Sequence, residues 1–171
     1  MNKAVFLDRD GVLTSSKTPP KNIRDIKIMP KIEELLQYLK SNNFLIFCIT
    51  NQPDISRGTK TLKEAQEIND ILNANCLEII RFDICPHSDE DNCVCRKPKT
   101  GMVISLAKEF NIDLSKSWVI GDRWRDIGTG INSGCKTIFF NYRNQGELKN
   151  YIPDFTAKSV NEIINIFERN I

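Results

Sequence analysis

Lys3-Ala4-Val5-Phe6-Leu7-Asp8-Arg9-Asp10-Gly11 is an apolar run of strand length that ends in two carboxylates and a glycine. In extended backbone, side chains two apart lie on one face. Asp8 and Asp10 are therefore expected to face one cleft, with Arg9 pointing away. Two carboxylates at that range repel unless one is protonated or both share a cation. The pair suits a nucleophile beside a general acid/base, held by a hard divalent metal. Asp and Gly are also common turn formers, so a plain strand-ending turn is the competing reading.

Working outward, the β-rich runs Phe44–Ile49, Ile79–Cys85, Ser117–Ile120 and Lys136–Phe140 follow, and Phe155-Thr156-Ala157 can form a last strand. Helix-period stretches separate them. Pro30–Ser41 opens with a proline suited to a first turn and puts Ile32, Leu35, Leu36 and Leu39 on one stripe. Thr61–Asn75, Gly101–Phe110 and a C-terminal stretch with Val160, Ile163, Ile164 and Phe167 repeat the pattern. A further helix is expected from near Arg123. Such alternation, with strands apolar on both faces, predicts an α/β fold whose parallel sheet is covered by helices on each side. The chain 1–171 reads as one domain. Only Thr14–Lys27 and Pro86–Lys99 are candidate insertions, too small for a large cap domain. Both follow strand ends, where an open α/β sheet binds its ligand.

The 171 residues carry 24 Lys+Arg and 22 Asp+Glu, a net charge of +2, with 40% hydrophobic and 27% charged residues. That is a soluble globular composition. No cationic excess is available to neutralise many nucleic-acid phosphates, so no nucleic-acid partner is expected. No apolar run approaches the roughly 18–20 residues of a membrane span, and the N-terminus is too short in apolar residues for a signal peptide. A cytoplasmic, monomeric enzyme acting on a small molecule is expected.

A second carboxylate pair weakens the turn reading of the first. Trp118-Val119-Ile120-Gly121-Asp122-Arg123-Trp124-Arg125-Asp126 runs a short apolar strand into Gly-Asp, with another Asp four residues on. On a helix starting near Arg123, Asp122 and Asp126 fall on the first turn and can face one point. Helix capping accounts well for one of them and poorly for both. Magnesium favours a few carboxylates plus water and phosphate oxygens. Thr50-Asn51-Gln52, at the end of another strand, offers a hydroxyl, amides and backbone N–H groups suited to phosphate, though it could equally cap the next helix. Arg96-Lys97-Pro98-Lys99 puts cations just before a helix, where a lysine can neutralise a transferring phosphoryl group. A solvated basic loop is the plainer alternative.

Cysteine use gives a third feature. Three of six cysteines and the sole histidine fall within eleven residues, as Cys85-Pro86-His87 and Cys93-Val94-Cys95. Three sulfurs and an imidazole make a full tetrahedral set for zinc. With all four positions taken by side chains, the expected metal is structural.

Taken in chain order, Asp8-Arg9-Asp10-Gly11, Thr50, Lys97 and Gly121-Asp122 with Asp126 resemble the four signature motifs of the haloacid dehalogenase (HAD) superfamily of phosphotransferases. The resemblance implies a Rossmann-like sheet, a magnesium ion and an aspartyl-phosphate intermediate. It implies that Asp8 is the nucleophile and Asp10 the general acid/base. Magnesium would sit on the Asp8 carboxylate, the Asp10 backbone carbonyl and Asp122, with Asp126 supporting from behind. Thr50 and Lys97 would bind the phosphoryl oxygens. An aspartate at position 10 favours phosphatase over dehalogenase chemistry, because an alkoxide leaving group needs a proton and a halide does not.

Cys-x-His…Cys-x-Cys-Arg-Lys-Pro downstream of Asp-Arg-Asp-Gly resembles the heptose bisphosphate phosphatases and the related histidinol-phosphate phosphatases. That resemblance implies removal of the C7 phosphate of a heptose bisphosphate, with Arg96 recognising substrate and Lys97 gripping the transferred group. It places Ser16, Lys17, Thr18, Pro19, Asn51, Gln52, Pro53 and Arg123 at the substrate as well. The sequence departs from the heptose enzymes at Pro53, where a small hydroxyl residue is usual. It also lacks their Gly-Tyr element at Ser15–Pro19, and its metal loop is short. Histidinol phosphate, another small sugar phosphate, or a non-catalytic zinc-stabilised binding module are the alternatives.

Overall fold

The computed structural model describes residues 1–16, 23–144 and 146–171, and of Ile23 the backbone alone. Strands β1 (Lys3–Leu7), β2 (Phe44–Asn51), β3 (Arg81–Cys85), β4 (Trp118–Gly121), β5 (Lys136–Phe140) and β6 (Phe155–Ala157) form one sheet in the order β3-β2-β1-β4-β5-β6. Every pairing is parallel. Helices α1 (Ile32–Ser41), α2 (Leu62–Asn75), α3 (Gly101–Glu109), α4 (Trp124–Ser133) and α5 (Val160–Asn170) complete the Rossmann-like alternation.

Period-two alternation along β1 explains why both faces must be covered. Val5 and Leu7 join a core with α1 and α5 residues such as Leu36, Leu39 and Phe167. Ala4 and Phe6 join the opposite core with Met102, Val103 and Leu106 of α3. A strand buried on both sides has no place for an unpaired carboxylate until it leaves the sheet, so its carboxylates come at its end.

Element ends differ from the sequence expectation at several places, with β4 shifted by one residue to Trp118–Gly121 and α3 ending one residue early at Glu109. α1 starts at Ile32 rather than Pro30, because Lys31 takes a left-handed conformation (φ 66°) just before it. β3 starts at Arg81 rather than Ile79, since pairing with β2 begins at Phe47↔Arg81. β2 runs on through Thr50 and Asn51, which pair with Ile84 and Cys85. α2 begins as its sequence suggests, with Thr61 and Glu64 forming a reciprocal capping box.

The order of strands reverses direction between β1 and β4, and open α/β sheets bind ligands at such a switch point. Among the described residues, 86–100 form a stretch at that end with no helix or strand. It is below the roughly 40 residues needed to fold independently.

Candidate active site

Sheet register brings the strand-end groups together. Leu7 pairs with Cys48 on one side and Ile120 on the other, so β1 and β4 end within a residue of each other while β2 runs three residues further. The Asp8 amide still bonds the Ile120 carbonyl at 3.0 Å, which sets Asp8 beside Asp122. Carboxylate oxygens of Asp8, Asp122 and Asp126 lie within 4.8 Å of one another, and all three residues are buried. Gly11 permits this proximity. Its φ is 98°, and a Cβ there would run into the Asp122 carboxylate.

Lys97 ties the group together. Its Nζ donates to Asp8 Oδ1 at 2.8 Å, Asp126 Oδ1 at 2.6 Å and the Ile49 carbonyl at 2.7 Å. Those contacts use all three ammonium hydrogens of a side chain that is 3% exposed. Burial pulls the ammonium toward neutrality, but Asp126 and Asp8 outweigh it and raise its pKa. Asp126 is doubly engaged, for its Oδ2 accepts the Arg123 amide at 3.0 Å and caps α4 from inside. The capping explanation thus holds for Asp126 and leaves Asp122 over. Both Asp122 oxygens are buried with no hydrogen-bond partner among the described residues. A buried carboxylate without donors is costly unless it is protonated or neutralised by a cation, and hard divalent ions take such oxygens.

Asp10 faces the same cleft under different restraint. Its Oδ2 accepts Gln52 Nε2 at 2.8 Å and Arg9 Nη2 at 3.0 Å, while Oδ1 receives only Arg9 Nε at 3.4 Å. Arg9 does not simply point away, as extended-chain geometry suggests. Its long stem folds under, is fully buried, and its Nη1 donates to Asn69 of α2 at 3.0 Å. Gln52, expected at the substrate, is fully buried and bridges Asp10 and Thr50 instead. It braces the site from behind because β2 ends one residue earlier and turns its side chain inward.

The cleft holds about 310 Å³ and is lined by Asp8, Asp10, Asn51, Pro53, Asp54, Arg57, Arg96, Lys97, Arg123, Arg125 and Asp126. Asn51 exchanges two bonds of 3.1 Å with the Lys97 backbone and so docks the Arg96-Lys97 segment on β2. Thr50 is buried below the cleft lining. Ser16 is half-buried and is not part of that lining, while Lys17, Thr18 and Pro19 lie outside the described residues. Arg125 also lines the cleft, and no pattern read in the sequence placed it there. Arg96 bonds Asp89 at 2.7 Å, and Arg96 holds the Asp89 carboxyl below its usual range.

The thiols and the imidazole also converge. Sγ of Cys95 lies 3.1 Å from Cys85 and 3.5 Å from Cys93, and Cys85 and Cys93 are 3.7 Å apart. His87 Nδ1 is 3.3 Å from the Cys95 sulfur and 3.6 Å from that of Cys85. Sulfurs bound at about 2.3 Å to a tetrahedral zinc stand about 3.8 Å apart, so the Cys85–Cys93 edge matches, the two Cys95 edges are shorter, and the donor set is the one zinc takes. None of the cysteines is in a disulfide. The Arg96 amide donates to Cys93 Sγ at 3.3 Å, which links the cage to the first cleft cation. Cys85 ends β3 and the other three groups lie on the loop after it, so a metal held there would make binding and loop folding one event. Cys95→Ser should therefore lower any zinc content of the purified protein and displace Arg96 and Lys97. Displacement on the 1 Å scale costs about 10²-fold in rate. Elemental analysis together with kcat checks it.

Burial, then the charges of Asp8 and Asp126, push the Asp122 carboxyl up to about 8. Burial and Asp8 push Asp126 up to about 6 despite Lys97. At these two carboxyls the folded state binds more protons than the unfolded chain, up to about pH 8. Their share of the stability therefore falls as pH rises through that window. Measured against Asp122→Asn, which leaves the other titrating side chains in place, magnesium-free wild type should lose melting temperature between pH 6 and pH 8. Added magnesium should raise the melting temperature more at pH 8. Scanning calorimetry at both values decides it.

Comparison with known proteins now bears on the same residues. A family described as HAD-hydrolase-like matches residues 94–163, a span that contains Lys97, Asp122 and Asp126. D-glycero-beta-D-manno-heptose-1,7-bisphosphate 7-phosphatase of Helicobacter pylori is 34% identical over 169 residues, covering 96% of both chains. The chain belongs to this family. A further member, D-glycero-alpha-D-manno-heptose-1,7-bisphosphate 7-phosphatase of Campylobacter jejuni, is also 34% identical and covers 97% of this chain and 96% of its own. The heptose bisphosphate phosphatase fold is seen directly in the B. bronchiseptica D,D-heptose 1,7-bisphosphate phosphatase crystallised with magnesium and phosphate. It matches with a TM-score of 0.84 at 23% identity, over 99% of each chain. In family terms, the described cleft and thiol cage both lie inside the matched length.

Proposed function

We propose that this chain hydrolyses the C7 phosphate ester of D-glycero-D-manno-heptose 1,7-bisphosphate through an aspartyl-phosphate on Asp8. The observation that carries the reading is the orphaned Asp122 carboxylate beside Asp8 and the Asp8–Lys97–Asp126 chain, next to a cleft that Arg57, Arg96, Arg123 and Arg125 also line. Asp8, Asp122 and the Asp10 backbone carbonyl would hold magnesium, which supplies charge neutralisation for the carboxylates and for the phosphoryl oxygens. Cys85, His87, Cys93 and Cys95 would hold a structural zinc.

Asp8 Oδ2, the oxygen not bonded to Lys97, attacks phosphorus, and the P–O bond to C7 breaks. Asp10 gives its proton to the departing C7 oxygen from Oδ1, the oxygen that Gln52 does not engage. Asp10 then takes a proton from water, which attacks the phosphorus of the acyl phosphate and restores the Asp8 carboxylate. Arg9 and Gln52 hold Asp10 in position for both transfers. Lys97 spreads its charge over the nucleophile and the transferring group. Arg96 and Arg125 take the remaining phosphate, with Arg57 and Arg123 adding positive charge to the same lining.

The C7 ester is common to both anomers, so the proposal does not depend on the configuration at C1. One chain supplies nucleophile, acid/base and cations, which supports a working monomer. Six cysteines free of disulfides suit a reducing cytoplasm, and among the described residues no helix is long and apolar enough to cross a membrane. Steady-state phosphate release tests the substrate. With magnesium, kcat/KM for the heptose bisphosphate should exceed that for histidinol phosphate by about a hundredfold, the value of one or two charged hydrogen bonds. A preference for histidinol phosphate would transfer the assignment to that ester.

A further inference from the structure

Asp89 stands on the loop between His87 and Cys93, at the rim of the cleft. Its side chain is 62% exposed, yet both of its oxygens are engaged. Oδ1 accepts Arg96 Nε at 2.7 Å. Oδ2 accepts Arg96 Nη2 at 3.4 Å and Arg125 Nη2 at 3.3 Å. Arg96 Nη1 in turn donates to the His87 carbonyl at 3.1 Å, so two groups of the loop fix one guanidinium. Arg125 comes from α4 on the other side and lies over the Trp124 ring, 4.6 Å from its centroid. Both arginines line the cleft that contains Asp8.

Two guanidinium groups held together repel, and one carboxylate shared between them offsets that repulsion. A mostly exposed carboxylate adds little to stability, so its main effect is on where the two cations stand. Planar guanidiniums fixed in advance match a phosphate with several donors and lose little side-chain freedom on binding. We propose that Asp89 is a positioning residue which joins Arg96 and Arg125 into a recess for the phosphate that does not react, and so sets the preference for a bisphosphate. The proposal deepens the phosphatase reading above and rests on it.

Opposite signs separate it from its rival, in which Asp89 competes with phosphate for the arginines. The test compares wild type, Asp89→Asn and Asp89→Glu on the heptose bisphosphate and on an aryl phosphate with no second phosphate. Asp89→Asn should raise KM for the bisphosphate about tenfold, with kcat within about twofold. The ratio of kcat/KM for the two substrates should fall by the same factor, and Asp89→Glu should recover part of it. Added to Arg125→Gln, Asp89→Asn should cost less than it does alone, as expected of coupled groups. An unaltered ratio, an equal loss on both substrates, or a lower KM in Asp89→Asn would overturn the proposal while wild type remains active. Wild type inert on both substrates with magnesium overturns the phosphatase reading and this proposal with it.

Discussion

Asp8→Asn should abolish phosphate release from the heptose bisphosphate, a loss of at least about 10⁴-fold in kcat on the scale of other covalent nucleophiles. An amide neither attacks phosphorus nor serves as a good magnesium ligand. Folding should survive, because the amide oxygen can still accept the Lys97 ammonium that Asp8 Oδ1 accepts at 2.8 Å. The substitution also removes one of three mutually repelling carboxylates, so the magnesium-free variant should melt no lower than wild type at pH 8. Turnover and melting temperature, measured on one preparation, check both halves. Near wild-type turnover would remove Asp8 from the mechanism.

Lys97→Ala should show the second-largest effect, and in both stability and rate. Its ammonium is buried and bonds Asp8, Asp126 and the Ile49 carbonyl. Removing one partner of a buried charge pair costs about 3–5 kcal/mol, and removing a charge aimed at the developing transition state costs about 10²–10³ in kcat. Magnesium should restore part of the stability, since it neutralises the same carboxylates, and little of the rate. Denaturant melts with and without magnesium, alongside kcat, check this. A variant as stable and active as wild type would mean that Lys97 is an ordinary buried lysine.

These two effects trace to residues that were legible for different reasons. Asp8, Asp10 and Asp122 could be read because buried parallel strands have no place for an unpaired carboxylate until they end, so carboxylates mark the ends. The thiol cage could be read because its four ligands lie within eleven residues. What could not be read depended on long side chains and on the packing of distant loops. Arg9 curls back onto Asp10 through a flexible stem, which strand parity does not anticipate. Gln52 turns inward because β2 runs two residues further than its apolar core. The Asp89 link between the metal loop and α4 joins residues 36 apart in sequence. Even Asp126, placed correctly near the carboxylates, has its contacts set by where α4 starts and where Lys97 arrives.

The account turns on the covalent step at Asp8, and one quench experiment reaches it directly. The nitrophenolate of a nitrophenyl phosphate leaves without protonation, so Asp10→Asn protein should still form the acyl phosphate from this aryl phosphate but hydrolyse it slowly, lacking the base that activates water. Mixed with magnesium and the aryl phosphate, then quenched in acid, this variant should carry a phosphoryl group on the peptide containing Asp8. Borohydride should reduce that residue, and omission of magnesium should abolish the signal. Release of the aryl alcohol with no phosphoryl group on Asp8, or with one on another residue, would contradict the account.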